Sequence, residues 1–176
     1  LSFNSSEILK QSFKIFLLYS SLTFIIFIIL NLLSIRSFNS LNLAFTIISS
    51  GGFLPTNELS NILLNNTQII IFSILLLFSY FSIFFSYNLF FIKKKNINFL
   101  YEDLHLIFYY ITVVSVFFLF FSFNTDFSKN LLSLSSSMSN VGFSLDFEQS
   151  NLNIIYLILV IIGGSFFSTS SGLRFI

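Results

Sequence analysis

Two four-residue stretches, Ser50-Gly51-Gly52-Phe53 and Asn140-Val141-Gly142-Phe143, lie 90 residues apart, and both end in Gly-Phe. Neither contains a charged side chain, a cysteine or a histidine, so what they offer a cation is chiefly the backbone. Glycine admits conformations that aim successive carbonyl oxygens toward one axis, where they can replace the hydration shell of a cation. A third stretch, Gly163-Gly164-Ser165-Phe166-Phe167-Ser168-Thr169-Ser170-Ser171-Gly172-Leu173-Arg174, sets glycines and hydroxyls inside an apolar segment and predicts a break in a helix.

Covalent catalysis finds no comparable support. The sequence has no cysteine, which removes thiol nucleophiles and thiolate metal sites. Its single histidine, His105, stands beside Glu102 and Asp103 at the start of an apolar run and reads as a solvated interfacial residue. Ser168 lacks the base that a nucleophilic serine requires. The chain is therefore expected not to be an enzyme and to need no cofactor of its own. A net charge of +1 gives no nucleic-acid surface.

The elements that must position these stretches are membrane helices. Of 176 residues, 55% are hydrophobic and 9% charged, with mean hydropathy +0.91, outside the range of soluble domains. Phenylalanine is abundant throughout, so no single ring carries weight by itself. Residues 15–35 hold no charge, and at ~1.5 Å rise per residue they cover the thickness of a bilayer core. Further apolar runs occupy 61–92, ending at Lys93-Lys94-Lys95, then 104–123, and finally about 154–173. Leu1 is no initiator methionine and Ile176 closes no polar tail, so the chain is expected to be the middle part of a longer protein.

The arrangement repeats. Laying Gly52-Phe53 over Gly142-Phe143 also lays the first apolar run over the third. Residues 1–92 form one unit, with a helix over 15–35, a short helix and turn over 37–55, and a helix over 67–92. A cytoplasmic link spans 93–103. Residues 104–176 form the second unit, with a helix over 104–123, a short helix and turn over 129–144, and a broken helix over 152–176. Both units start on the same side, so the repeat is parallel and suits units set around a central axis.

Lys10, Lys14, the lysine triplet and Arg174 fall on one side of this threading, which the positive-inside rule places in the cytoplasm, with Arg36 and Lys129 opposite. Glu58, Asp126, Asp146 and Glu148 then face outside and give an approaching cation a mildly negative field. Residues 41–48 and 131–137, if helical, point the negative ends of their dipoles at Ser50 and Asn140. Irregular backbone at membrane depth is tolerated only inside protein or along a watery cavity, so these turns suggest a pore. The fold class is all-α and integral to the membrane.

Three blocks resemble the Trk/Ktr/HKT potassium transporter superfamily, whose pore is built from four repeats of helix, pore helix, filter loop and helix. Ala44-Phe45-Thr46-Ile47-Ile48-Ser49-Ser50-Gly51-Gly52-Phe53 is similar to the family's second-repeat filter, and Ser137-Met138-Ser139-Asn140-Val141-Gly142-Phe143-Ser144 to its third. The block from Gly163 to Arg174 is similar to the glycine-rich break of repeat three in the bacterial Trk branch. The pattern departs from the family's at Phe166-Phe167, usually small, at Ser170-Ser171, usually glycine, and at Asn140, commonly threonine.

The resemblance implies two of four pore repeats. Filter ligands would come from Ser50, Gly51, Gly52, Asn140, Val141 and Gly142, with Phe53 and Phe143 anchoring the loops by packing. Gly163, Gly164, Ser165, Ser168, Thr169, Ser170, Ser171 and Gly172 would form a gate loop. It further implies potassium as the substrate, taken up by symport or channel-like passage, a homodimer in a bacterial inner membrane in contact with lipid, and a cytoplasmic nucleotide-binding regulatory subunit. Two other readings remain open at this point: a secondary carrier with broken helices and a midplane site, and a membrane assembly subunit whose small residues serve helix packing.

Overall fold

The computed structural model describes residues 5–81, 97–121, 127–145, 153–165 and 168–173, and among these every regular element is helical. They are α1 (Ser5–Leu32), α2 (Ser37–Ser49), a 3-10 turn (Leu59–Asn61), α3 (Asn66–Tyr80), α4 (Ile97–Phe121), α5 (Phe127–Ser139) and α6 (Asn153–Ile161). Lys93 to Lys95, Asp126, Asp146, Glu148, Phe166, Phe167 and Arg174 lie outside the described residues.

The repeat seen in sequence is a repeat in space. α1 and α4 are the long helices, α2 and α5 are both 13 residues long, and a left-handed turn follows each short helix at the same offset of 90. At ~1.5 Å per residue a 13-residue helix covers about 20 Å, too little to cross a bilayer core of ~30 Å. α1 carries a window, Ser12–Leu32, long and apolar enough to span, with only 22% of it buried. Asn66–Tyr80 and Leu104–Leu119 are apolar but shorter.

Spacing explains how α1 packs. Leu18, Leu22, Ile26 and Leu30 recur every fourth residue and are buried on one stripe, from Leu22 onward in the core shared with α2 and α3. The other faces are apolar too: Phe13, Phe16, Phe24 and Leu32 are more than 60% exposed. So much uncovered hydrocarbon asks for lipid or further protein around it.

α5 is the inverse case, a serine-rich helix buried almost end to end. Ser128, Asn130, Leu131, Leu132 and every residue from Leu134 to Ser139 are shielded. Its Leu132 joins the first core, with Leu43, Ile47 and Phe72, while Leu134 and Met138 join a second core with Tyr80, Leu106, Phe117 and Leu159. One helix thus fastens the two units together. Tyr110 of α4 and Ser135 share a hydrogen bond of 2.9 Å, which relieves the cost of two hydroxyls at an apolar interface.

The start of α3 is held by a polar knot. Gln68, 7% exposed, accepts from the backbone N–H groups of Leu64 (2.8 Å) and Asn65 (3.1 Å) and donates through Nε2 to the Leu33 carbonyl (2.8 Å). Asn65, which with Asn66 and Thr67 matches a glycosylation pattern, serves here as the N-cap in a reciprocal capping box with Gln68. Gln68→Leu leaves three backbone groups without partners. At about 1 kcal/mol each the expected loss is ~2–3 kcal/mol, read as a clear fall of Tm in detergent; an unchanged Tm would contradict this role.

The helix expected over 67–92 is interrupted: α3 ends at Tyr80 and Phe81 is extended with φ −80° and ψ 160°, while residues 82–92 lie outside the described residues. No glycine or proline explains the stop. The carbonyls of Ser79 and Tyr80 instead accept the N–H groups of Ser170 (3.2 Å) and Ser165 (3.1 Å), so a loop far along the chain takes bonds that a continuing helix would have made.

Candidate filter and gate loop

Each short helix ends in the same closing motif. At α2 the Ser50 N–H donates to the Ile47 carbonyl (3.3 Å) and the Gly51 N–H to that of Thr46 (3.1 Å). At α5 the Asn140 N–H donates to Ser137 (3.3 Å) and the Val141 N–H to Ser136 (3.1 Å). This pair of bonds is the Schellman arrangement, which needs a left-handed residue just past the helix; Ser50 (φ 50°) and Asn140 (φ 57°) supply it where glycine is usual. The glycine two residues further on is left-handed as well in each turn, Gly52 at 68° and Gly142 at 82°, while the residue between is not. Alternating handedness over successive residues is a conformation glycine makes accessible, and it swings neighbouring peptide groups out of helical alignment.

The two turns touch. A Cβ placed on Gly52 would lie 2.5 Å from the Val141 carbonyl oxygen, so glycine at 52 lets the two backbones meet. Gly51, Gly52 and Gly142 are exposed, and Ser50 and Asn140 partly so. The short helices also bring the negative ends of their dipoles to these turns.

A hydroxyl seven residues before each phenylalanine ties the turn back to its helix. Thr46 Oγ1 donates to the Phe53 carbonyl (2.8 Å), and Ser136 Oγ accepts from the Phe143 N–H. Neither residue was singled out from sequence, although both sit at the same offset in the repeat and that hydroxyl pair was the available signal. The phenylalanines differ. Phe143 is buried, its ring centroid 5.8 Å from that of Phe72. Phe53 is 78% exposed, so among the described residues that turn is held through its backbone and not by the packing expected of its side chain.

After α6 the chain forms a loop with a narrow neck. The Gly163 N–H donates to the Leu173 carbonyl and the Leu173 N–H to that of Ile161, both at 2.8 Å. Gly163 and Gly172 face each other across the neck: a Cβ on Gly172 would lie 2.9 Å from the Gly163 Cα. Inside the loop the hydroxyls of Ser168 and Ser170 are satisfied locally. Ser168 Oγ donates to the Ser165 carbonyl (2.8 Å), Ser170 Oγ accepts from the Gly164 N–H (3.0 Å), and the two hydroxyls are 2.9 Å apart. Ser165, Ser168 and Ser170 are all buried.

The loop lies against both turns and against α3. Ser50 Oγ is 3.4 Å from Thr169 Oγ1, and Asn140 Nδ2 donates to the Ser171 carbonyl. The residues singled out from sequence in three separate stretches are thus brought into one assembly. Among the described residues no group of His, Cys, Asp or Glu is placed to hold a metal ion.

No family model and no curated protein matches the sequence. Among solved structures, the crystal structure of the potassium transporter TrkH from Vibrio parahaemolyticus matches with a TM-score of 0.84 and 20% identity, over 99% of this chain and 40% of that one. The chain spans about two fifths of that transporter's length. The likeness covers nearly all of the present residues, and the chain therefore has the fold of a TrkH-type fragment.

Proposed function

We infer that this chain is part of a membrane pore that passes potassium through a filter of backbone carbonyls. The observation that carries the reading is the pair of matched left-handed turns, Ser50 to Phe53 and Asn140 to Phe143, in contact with each other at the ends of two short helices. The carbonyls of Ser50, Gly51, Gly52, Asn140, Val141 and Gly142 supply two sides of a filter, and further repeats of the full-length protein supply the rest. A dehydrating cation gains there from fixed dipoles that cost nothing to reorganise. Loop 162–173, hydrogen-bonded to both turns, is the gate. A homodimer in the inner membrane and a cytoplasmic nucleotide-binding regulator that biases the loop complete the reading. Fold likeness to a potassium transporter supports it.

The gene carrying this chain, expressed in full in a bacterium deficient in potassium uptake, is expected to restore growth at low external potassium. Gly142→Ser should weaken the rescue, since φ of 82° strains any side chain even though no atom of the described residues lies within 4 Å of its Cβ. A membrane-inserted wild type that gives no rescue points to a carrier of another solute or to an assembly subunit.

A further inference from the structure

Positions 50 and 140 are equivalent in the repeat, and each left-handed residue uses its side chain on loop 162–173. The two ties differ in strength. The hydroxyls of Ser50 and Thr169 are 3.4 Å apart, long for such a pair, whereas Asn140 makes a short amide-to-carbonyl bond to Ser171. The turn itself does not require an amide, because Ser50 fills the same left-handed position with a hydroxyl. The amide even has a cost: Asn140 Oδ1 is sealed from solvent with no partner among the described residues. What asparagine adds is reach, carrying an N–H across to a backbone carbonyl of the loop.

We propose that Asn140 is a positioning residue, a latch that holds loop 162–173 against the filter turns through its Nδ2–H bond to the Ser171 carbonyl. This rests on the pore reading above for its significance, but the latch itself is a statement about where the loop sits. A filter residue is then also the restraint on the gate, so the two are mechanically joined through a single side chain.

The test reads loop position without transport. The present sequence has no cysteine, and Ser165 is 1% exposed with a hydroxyl that has no hydrogen-bond partner among the described residues, so Ser165→Cys forfeits none of the bonds described. The rate at which a water-soluble thiol reagent labels it in the full-length membrane protein, cleared of other cysteines, reports release of the loop. Asn140→Ser keeps the residue type found at position 50 but is too short to reach, and Asn140→Gly favours the left-handed backbone while removing the side chain. Both are expected to raise labelling about tenfold, and Ser50→Gly to raise it much less. Labelling unchanged in both Asn140 variants, or raised in Asn140→Gly alone, overturns the latch, the latter assigning the effect to the backbone. Failure of the pore reading is seen separately, as absent potassium-dependent growth with wild type.

Discussion

Gly52→Ala in the full-length protein is expected to abolish potassium-dependent growth and to reduce uptake by at least roughly tenfold, with membrane insertion retained. Two penalties coincide at this residue. Its φ of 68° costs a side chain about 1–2 kcal/mol, and the added Cβ would sit 2.5 Å from the Val141 carbonyl oxygen. That oxygen belongs to the neighbouring turn, so the collision moves a candidate cation ligand of the other repeat. Gly142→Ala meets only the first penalty, as its Cβ position opens to free space. The order of severity is therefore Gly52 before Gly142. Equal uptake in wild type and Gly52→Ala, measured as rubidium influx, would sink the filter assignment.

Gly163→Ala is expected to act in the opposite sense, raising flux under conditions that close the wild type. A Cβ here would lie 2.6 Å from the Ser171 carbonyl oxygen, 3.0 Å from the Gly172 carbonyl carbon and 3.1 Å from the Leu173 carbonyl oxygen. All three are backbone atoms on the far strand of the neck, and no rotamer can move aside. The neck must spread, breaking the paired bonds between Gly163, Leu173 and Ile161 that close the loop. Rubidium efflux from proteoliposomes of the full-length protein should rise severalfold and lose any dependence on the proposed regulator. A variant that is stable and still gated by the wild-type ratio would show that the loop is not the gate.

Much of this was legible because it is local or periodic. The Gly-Phe pairs 90 residues apart marked both turns, and the run from Gly163 to Gly172 marked the loop, since glycine in an apolar segment has few other uses. The short helices were expected over 41–48 and 131–137 and extend further, to Ser37–Ser49 and Phe127–Ser139, with Ser40, Ser128 and Asn130 of their first turns shielded by neighbours unseen in sequence. What stayed hidden was decided at a distance. Ser50 and Asn140 are not glycines, so their left-handed backbone had no mark in composition. Phe53 and Phe143 are the same residue in the same motif, and their surroundings separate them: Phe143 packs in the core beside Phe72, while Phe53 is exposed. The end of α3 at Tyr80 depends on donors from residues 165 and 170.

That helix end carries an obligation of its own. The Ser79 carbonyl is engaged by the Ser170 N–H and by Thr169 Oγ1 (3.4 Å), and the Tyr80 carbonyl by the Ser165 N–H. These are neighbouring oxygens at the buried foot of a helix, with Ser79 1% and Tyr80 0% exposed, where water does not reach to supply donors. Withdrawing the loop strands them, at about 1–3 kcal/mol for each group left unpaired. The loop cannot simply swing away from a dry wall: water must arrive in the same place as it leaves. On the proposed pore reading, hydration of the passage is thus a condition of the loop's departure as well as its result, which would make a closed arrangement self-sealing and an open one self-wetting.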